Sequence, residues 1–207
     1  HLDHGVEFSM IDDCIQAGYT SVMIDASHYP FDENVARTLQ VVQAARARGV
    51  AVEAEIGILP GVEDDLSVEQ SQAVYTSPEE ARAFQTATGV DFLAVAIGTA
   101  HGFYKTTPQL NIETLVQLRR TTDFPLVVHG GTGLSFSTIR ELVKAGCSKM
   151  NVSTQLKKTY IDALYEYLGQ HPEEYNPIKL MNHATKQLAA VVAAYLQVFN
   201  SSGKARV

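Results

Sequence analysis

The chain has 207 residues, of which 45% are hydrophobic and 19% charged, a composition typical of a globular protein with enough apolar residues for a core. Its net charge of −7 argues against a nucleic-acid partner or an anionic membrane surface. The two cysteines, Cys14 and Cys147, give no disulfide framework and fit a reducing compartment. We therefore expect a cytoplasmic protein that binds neither nucleic acid nor membrane.

Strand and helix patterns alternate along the chain, without a linker or a low-complexity segment. The predicted strands are 2–3, 21–25, 50–55, 92–97, 126–129 and 147–152. The first predicted helix ends near Ala17. The other predicted helices cover about 32–48, 77–89, 111–120, 137–145, 154–169 and 178–199. Strands that alternate with helices in this way predict a parallel sheet with crossover connections.

Two architectures fit six such units: an open doubly wound sheet and a (β/α)₈ barrel. A TIM barrel typically needs about 250 residues, and the chain starts abruptly at His1 without an initiator Met. We favour an α/β TIM barrel that lacks its first two βα units and ends in additional helices. The whole chain, 1–207, would then be one partial barrel domain.

The segment from Gly57 to Thr76 differs from the rest, because it has no sustained hydrophobic period. It contains Pro60, Gly61 and the acidic run Glu63–Asp65. Long loops in compact domains are usually lids or binding elements. We therefore predict a loop here that closes over a site.

Polar residues recur where predicted strands end. They are Asp3, His4, Asp25, Glu53, Glu55, His101, His129 and Asn151. Ligands of parallel α/β proteins bind at this edge of the sheet. Three histidines with an open fourth position are typical of a catalytic zinc site, although a single histidine at a strand end is more often a hydrogen-bonded turn residue.

Asp3 and His4 are neighbours, so their side chains would leave a regular strand on opposite faces. Both reach one site only if the strand bends, and Gly5 permits that bend. Asp3 would then lie beside the metal as an acid/base. The alternative is a buried carboxylate that orients a neighbouring histidine.

A glycine-rich turn, HGGTG, follows the fifth predicted strand at His129. Its backbone N–H groups, with those of Asn151–Thr154, would form a phosphate site at helix N-termini. Plain N-capping explains Ser153 or Thr154 equally well when each is taken alone. A Schiff-base mechanism needs a desolvated lysine. Lys149, the one lysine in a predicted strand, is expected to point outward or to snorkel, which disfavours that mechanism.

The motifs HLDHG, SVMIDASH, VEAEIG, EDD, AIGTAHG, PLVVHGGTGL and KMNVST occur in this order. Together they resemble the class II, metal-dependent ketose-bisphosphate aldolases, the tagatose-bisphosphate branch first and the fructose-bisphosphate enzymes next. The resemblance covers the whole chain and implies a TIM barrel that is short at its front. Lys105 and Ser153 depart from the tagatose pattern, which leaves the choice of sugar open.

The resemblance also implies roles for residues at matching positions. Zinc would be held by His4, His101 and His129, with Asp25 and Glu55 at a second or alternate metal position and Asp3 as the catalytic acid/base. The predicted binders of dihydroxyacetone phosphate are Gly102, Gly130, Gly131, Thr132, Asn151, Val152, Ser153 and Thr154. Some members carry a monovalent cation, Na⁺ or K⁺, nearby. A homo-oligomer, dimer or tetramer, is expected.

The expected reaction is the reversible aldol cleavage of a ketose 1,6-bisphosphate, tagatose or fructose, to dihydroxyacetone phosphate and glyceraldehyde 3-phosphate. Zinc would stabilise the enediolate as a Lewis acid, and Asp3 would move the proton of the C4 hydroxyl. One alternative is a non-catalytic metal- and phosphosugar-binding barrel or an inactive truncated fragment. Another is a metal-dependent hydrolase, which the phosphate cradle disfavours.

Overall fold

A computed structural model describes residues 1–58, 61–63, 66–68, 74–104 and 107–205. The strands are β1 (Leu2–Gly5), β2 (Ser21–Ile24), β3 (Ala51–Ile56), β4 (Gly61–Glu63), β5 (Leu66–Val68), β6 (Phe92–Val95), β7 (Leu126–Val128) and β8 (Cys147–Met150). The helices are α1 (Phe8–Gln16), α2 (Phe31–Arg46), α3 (Pro78–Thr88), α4 (Ile112–Thr121), α5 (Phe136–Ala145), α6 (Thr154–Gln170) and α7 (Pro177–Val198). Among the described residues, no helix is both long enough and apolar enough to cross a bilayer.

Six strands form one sheet in the order β1-β2-β3-β6-β7-β8, and every neighbouring pair is parallel. The sheet is strongly curved. Strands lie about 4.8 Å apart, so five steps from β1 to β8 would span about 24 Å in a flat sheet. However, the amide Nδ2 of Asn151, next to β8, lies 2.7 Å from Oδ1 of Asp3 on β1. The fold is therefore a TIM-like half-barrel, as predicted, and not the open doubly wound sheet that was the alternative.

The main hydrophobic core lies between the outer face of the sheet and the helices. Val22 and Ile24 of β2 point into this core, where they join buried side chains of the helices such as Ile11 and Phe84. The intervening Met23 faces the concave side and packs with Ala94 and Val127. Alternate strand residues thus face the helices and the barrel interior, and the interior apolar cluster is small.

Helix boundaries follow the capping residues of the sequence. Ser77 accepts a hydrogen bond from the N–H of Glu80 at the start of α3, and Gly89 ends that helix in the left-handed conformation. Asn111 caps α4 in the same way through the N–H of Thr114. Side-chain acceptors at N-caps and glycine after the last turn satisfy backbone groups that a helix leaves unpaired. These predicted boundaries are confirmed.

The segment after β3 is more regular than the sequence predicted. β4 and β5 form an antiparallel ribbon in which Gly61 pairs with Val68 and Glu63 with Leu66. Ile58 and Val74 form a further antiparallel bridge. The prediction of a structureless loop was therefore wrong at β4 and β5, whose three-residue strands are too short to show a hydrophobic period. In the predicted lid Glu63–Asp65, the last two residues lie outside the described residues.

Strand β1 bends at His4, where the backbone φ angle is 45° and the register with β2 shifts. A non-glycine residue in this region is strained by about 1–3 kcal/mol, and such residues cluster at functional sites. Gly5 has a different role from the predicted one, because a Cβ there would lie 2.7 Å from the carbonyl oxygen of Met23. The bend is therefore at His4, and Gly5 allows β1 to approach β2 closely.

Candidate active site

Three histidines that the sequence predicted as metal ligands converge at the carboxyl ends of β1, β6 and β7. One nitrogen from each of His4, His101 and His129 lies within 4.8 Å of the others. Nε2 of His4 is 2.8 Å from Nδ1 of His129. In a flat sheet β1 and β7 would be about 19 Å apart, so the curvature of the barrel creates this cluster.

Carboxylates hold the outward-facing nitrogens of two of these rings. Nδ1 of His4 donates to Oδ2 of Asp25 at 2.8 Å, and Nε2 of His129 donates to Oε1 of Glu53 at 3.0 Å. A hydrogen bond at one ring nitrogen fixes the tautomer and leaves the lone pair on the other. Nε2 of His4 and Nδ1 of His129 therefore both present lone pairs.

The donor set fits a divalent metal ion. Two lone pairs only 2.8 Å apart repel each other unless a cation lies between them. His101 adds a third imidazole, with its ring centroid 5.1 Å from that of His4 and 6.0 Å from that of His129. Three neutral imidazoles with one open position are the donor set of a catalytic zinc site, and carboxylates orient two of the three rings, those of His4 and His129.

Burial and hydrogen bonding keep this cluster in the required protonation states. Burial would raise the pKa of Asp25, but the hydrogen bond and charge of His4 and two bonds from Ser27 bring it to about 2. Burial likewise acts against the charge of Glu53, yet His129 and Lys149 lower its pKa below the ordinary value. Burial lowers the pKa of His129. The carboxylates of Asp25 and Glu53 are therefore ionised at neutral pH, and the imidazole of His129 is neutral.

A second group of candidate ligands lies deeper in the same site. His4, Asp25 and Glu55 offer ligand atoms within 4.8 Å of one another. Oε2 of Glu55 is 3.6 Å from Nδ1 of His129, and the Glu55 side chain is only 3% exposed. The two carboxylates predicted for a second or alternate metal position therefore adjoin the histidine cluster.

Asp3, the predicted acid/base, lies at the mouth of the barrel. Its side chain is 39% exposed, so a substrate hydroxyl can reach it. The amide Nδ2 of Asn151 donates to both of its carboxylate oxygens, at 2.7 and 2.8 Å. Asn151, predicted to bind substrate, therefore also holds the carboxylate of Asp3.

Lys149 corrects the sequence prediction, because its side chain points into the barrel. Its Nζ lies 2.9 Å from Oε2 of Glu53 and donates to Oδ1 of Asn151 at 2.7 Å. The cross-strand partner of Lys149 is Val127, which belongs to the interior cluster. This register is a non-local feature that the sequence does not state, so the general expectation that a lysine faces solvent was wrong here. The sequence also assigned no role to Glu53 beyond its position.

The turn after β7 and the start of α6 adjoin each other as predicted. The N–H of Gly131 donates to the carbonyl oxygen of Asn151 at 3.0 Å, so that predicted phosphate donor is already engaged. Thr132 is buried and its Oγ1 accepts from the N–H of Gln155 at 3.4 Å. Ser153 precedes Thr154 at the N-cap of α6 without a side-chain capping bond, so its hydroxyl does not serve the capping role that the sequence left open.

Two further residues that the sequence predicted to bind substrate could offer only backbone groups to it. The side chain of Val152 packs against the main core. Gly102 follows His101 with a φ angle of 86°, a conformation that favours glycine. Lys105, which bears on the choice of sugar, lies outside the described residues.

Tyr104 joins the two loops that carry His101 and His129. Its hydroxyl accepts from the N–H of Ala100 at 3.0 Å and donates to the carbonyl oxygen of Gly130 at 2.8 Å. Burial raises the pKa of Tyr104 above its ordinary value, so the hydroxyl keeps the proton that it donates. A Cβ at Gly130 would lie 2.5 Å from the carbonyl oxygen of Ala100, so these loops pack backbone to backbone.

Comparison with known proteins assigns the family. The family described as fructose-bisphosphate aldolase class-II matches residues 1–204. The YdjI aldolase from Escherichia coli K12 is 32% identical with a TM-score of 0.84, covering 99% of this chain and 70% of that protein. A candidate fructose-1,6-bisphosphate aldolase from Coccidioides immitis is 30% identical with a TM-score of 0.90, covering 99% and 71%.

A third solved structure supports the fold alone. Fructose-bisphosphate aldolase from Campylobacter jejuni is 22% identical with a TM-score of 0.77, and the match covers 96% of this chain and 69% of that protein. The family resemblance drawn from the motifs is confirmed, and enzymes of this class are generally zinc-dependent. With the match over residues 1–204, the chain belongs to the class-II fructose-bisphosphate aldolase family, whose members are lyases.

Proposed function

We propose that this chain catalyses the reversible cleavage of a ketose 1,6-bisphosphate to dihydroxyacetone phosphate and glyceraldehyde 3-phosphate, with Zn²⁺ bound by His4, His101 and His129. Tagatose and fructose bisphosphates, which are epimers at C4, are the candidate substrates, and the motifs favour tagatose. The supporting observation is one arrangement: three imidazole nitrogens within 4.8 Å beside an exposed carboxylate. The groups that we propose to bind the metal and to transfer the proton are thereby adjacent.

The metal would supply Lewis-acid stabilisation of the negative charge that develops next to the ketose carbonyl. Asp3 removes the proton of the C4 hydroxyl in the cleavage direction and returns it in condensation. Its partial exposure and its two bonds from Asn151 present the carboxylate to the substrate in a defined orientation. Asp25 and Glu53 hold His4 and His129 in the tautomers whose lone pairs would be available to the metal.

The phosphate of the three-carbon product would lie between the turn after β7 and the first turn of α6. The first N–H groups of an α-helix point toward such an anion, and the helix dipole favours its negative charge. Ser153 has no capping bond, which leaves its hydroxyl for the phosphate. The N–H of Gly131 is paired with Asn151, so its contribution is to hold the turn against β8.

The test is a cleavage assay with each epimer on the purified, zinc-loaded protein, with triose phosphates measured by a coupled reaction. We expect turnover with at least one epimer and its loss on chelation. Asp3→Asn keeps the shape of the side chain and removes the base, so it should retain zinc while kcat falls by at least about 10²-fold. The matched control is Asp162→Asn, because Asp162 is an exposed residue of α6 whose carboxylate pairs with Lys158.

Condensation identifies the sugar. Dihydroxyacetone phosphate and glyceraldehyde 3-phosphate are incubated with the enzyme, and the C4 configuration of the product is determined. A single epimer identifies the preferred ketose. Full turnover of Asp3→Asn would remove Asp3 from the mechanism, and the absence of zinc from the wild-type protein would contradict the ligand assignment.

A further inference from the structure

A continuous series of hydrogen bonds connects His129 with Asp3 across the interior of the barrel. Nε2 of His129 donates to Oε1 of Glu53 at 3.0 Å, and Nζ of Lys149 donates to the same carboxylate oxygen at 3.2 Å. Nζ of Lys149 also donates to Oδ1 of Asn151 at 2.7 Å. Nδ2 of Asn151 then donates to Asp3 at 2.7 and 2.8 Å.

The chemistry of the members fixes the direction of every bond. The ammonium of Lys149 only donates, and the carboxylate oxygens of Glu53 and Asp3 accept. The amide of Asn151 lies between a donor and an acceptor, so its oxygen must face Lys149 and its nitrogen must face Asp3. Rotation of this amide by 180° would place two donors against each other and two acceptors against each other.

The members come from four strands that are not all neighbours. Glu53 is on β3, Lys149 on β8, Asp3 on β1, and His129 follows β7. β3 and β8 are three steps apart in the sheet, or about 14 Å if it were flat. The contact between Glu53 and Lys149 therefore bridges the concave side, beneath the histidine cluster.

We propose that Lys149 is a positioning residue, anchored by Glu53, that fixes the amide of Asn151 and through it the carboxylate of Asp3 at a set position relative to His129. The inference rests on the proposed function, because it assigns Asp3 the proton transfer. Lys149 does not touch the reacting atoms in this role. Lys149 keeps the carboxylate of Asp3, the proposed proton-transfer group, at a fixed position relative to His129, a proposed metal ligand.

Loss of the ammonium should therefore affect the chemical step more than substrate binding. Without Lys149, the oxygen of Asn151 loses its donor, the amide can rotate, and Asp3 is no longer held by two bonds. Misplacement of a catalytic group by about 1 Å can reduce the rate by about 10²-fold. Metal affinity should change little, because the bond from His129 to Glu53 remains.

The first experiment compares Lys149→Met with Lys158→Met in the zinc-loaded full chain. Lys158 is an exposed lysine that pairs with Asp162 on α6, away from the strand ends. We expect Lys149→Met to lower kcat by roughly 10- to 100-fold with KM and zinc affinity within about threefold, and Lys158→Met to match the wild type. A fall in zinc affinity that accounts for the whole loss of kcat would overturn the proposal, as would an unchanged kcat.

A double-mutant cycle with Asn151→Ala tests the route of the effect. If Lys149 acts through Asn151, then Lys149→Met should cost little, about twofold or less, once the amide is absent. If Lys149 and Asn151 acted independently, the factors by which the two substitutions lower kcat would instead multiply in the double variant. Multiplicative effects on kcat would therefore overturn the proposal.

A spectroscopic readout separates this inference from the proposed reaction. The side-chain amide of Asn151 gives a ¹⁵N–¹H₂ signal, assigned by its absence in Asn151→Asp. In the wild type we expect it shifted by the bonds to Asp3 and protected from solvent exchange. Lys149→Met should move it toward the position of an exposed amide, and Lys158→Met should not. An unmoved signal overturns the positioning role, whereas a moved signal in a protein without aldol turnover refutes the reaction alone.

Discussion

Removal of the Tyr104 hydroxyl should weaken metal binding although Tyr104 is not a ligand. The hydroxyl joins the N–H of Ala100, next to His101, to the carbonyl oxygen of Gly130, next to His129, at 3.0 and 2.8 Å. Tyr104→Phe keeps the ring and removes both bonds. Each net hydrogen bond contributes about 1 kcal/mol, so we expect the free energy of unfolding to fall by about 2 kcal/mol.

The effect on the metal follows from the position of the two loops. Loss of a group that orients metal ligands typically weakens metal affinity by about 10- to 100-fold. We expect a loss near 10-fold for Tyr104→Phe, because the histidines keep their own hydrogen-bond partners. Co²⁺ or Zn²⁺ titration of the chelator-treated protein measures the affinity, and chemical denaturation measures stability. Tyr175→Phe is the control, since that side chain is 94% exposed. If Tyr104→Phe binds metal as tightly as Tyr175→Phe, then the two loops do not need this connection.

Two further predictions concern Gly5 on β1 and Asp25 directly after β2. Gly5→Ala would place a Cβ 2.7 Å from the carbonyl oxygen of Met23 and from Cγ1 of Ile11. We therefore expect the free energy of unfolding to fall by about 1–3 kcal/mol and metal binding to weaken. Gly169→Ala, with no neighbour near its Cβ, is the control in the same denaturation and titration assays. In metal-free protein the pKa of Asp25 is about 2 against 3.8. The ionised Asp25 should therefore contribute about 2 kcal/mol to the free energy of unfolding. This contribution should be present above pH 4 and lost as the pH falls toward 2. Asp25→Asn should flatten that part of the denaturation profile, and an unchanged pH dependence would contradict it.

The sequence predicted those parts of the structure that depend on local signals and on one rule of topology. The caps of α3 are local, since Ser77 and Gly89 each act within one turn. The carboxyl ends of parallel strands share one edge, and this rule alone predicts that His4, His101 and His129 lie together. Neither requires knowledge of which residues meet across the barrel.

The features that the sequence missed depend on non-local geometry. The inward orientation of Lys149 follows from its register with Val127, and the sequence does not state that register. The bend at His4, with φ at 45°, is held by neighbours on other elements, because the conformation is unfavourable for histidine by itself. The ribbon of β4 and β5 depends on pairing between two strands of three residues each.

The ion pair between Glu53 and Lys149 is better explained by its hydrogen bonds within the site than by a contribution to stability. Glu53 is 1% exposed, and removing a charged pair from water costs several kcal/mol that its mutual attraction often only offsets. Apolar residues of similar volume would extend the small cluster of Met23, Ala94 and Val127 and could stabilise the fold as well or better. Such residues could neither accept a bond from His129 nor donate one to Asn151. The pair therefore contributes what an apolar interior lacks, a fixed connection between His129 and the carboxylate of Asp3.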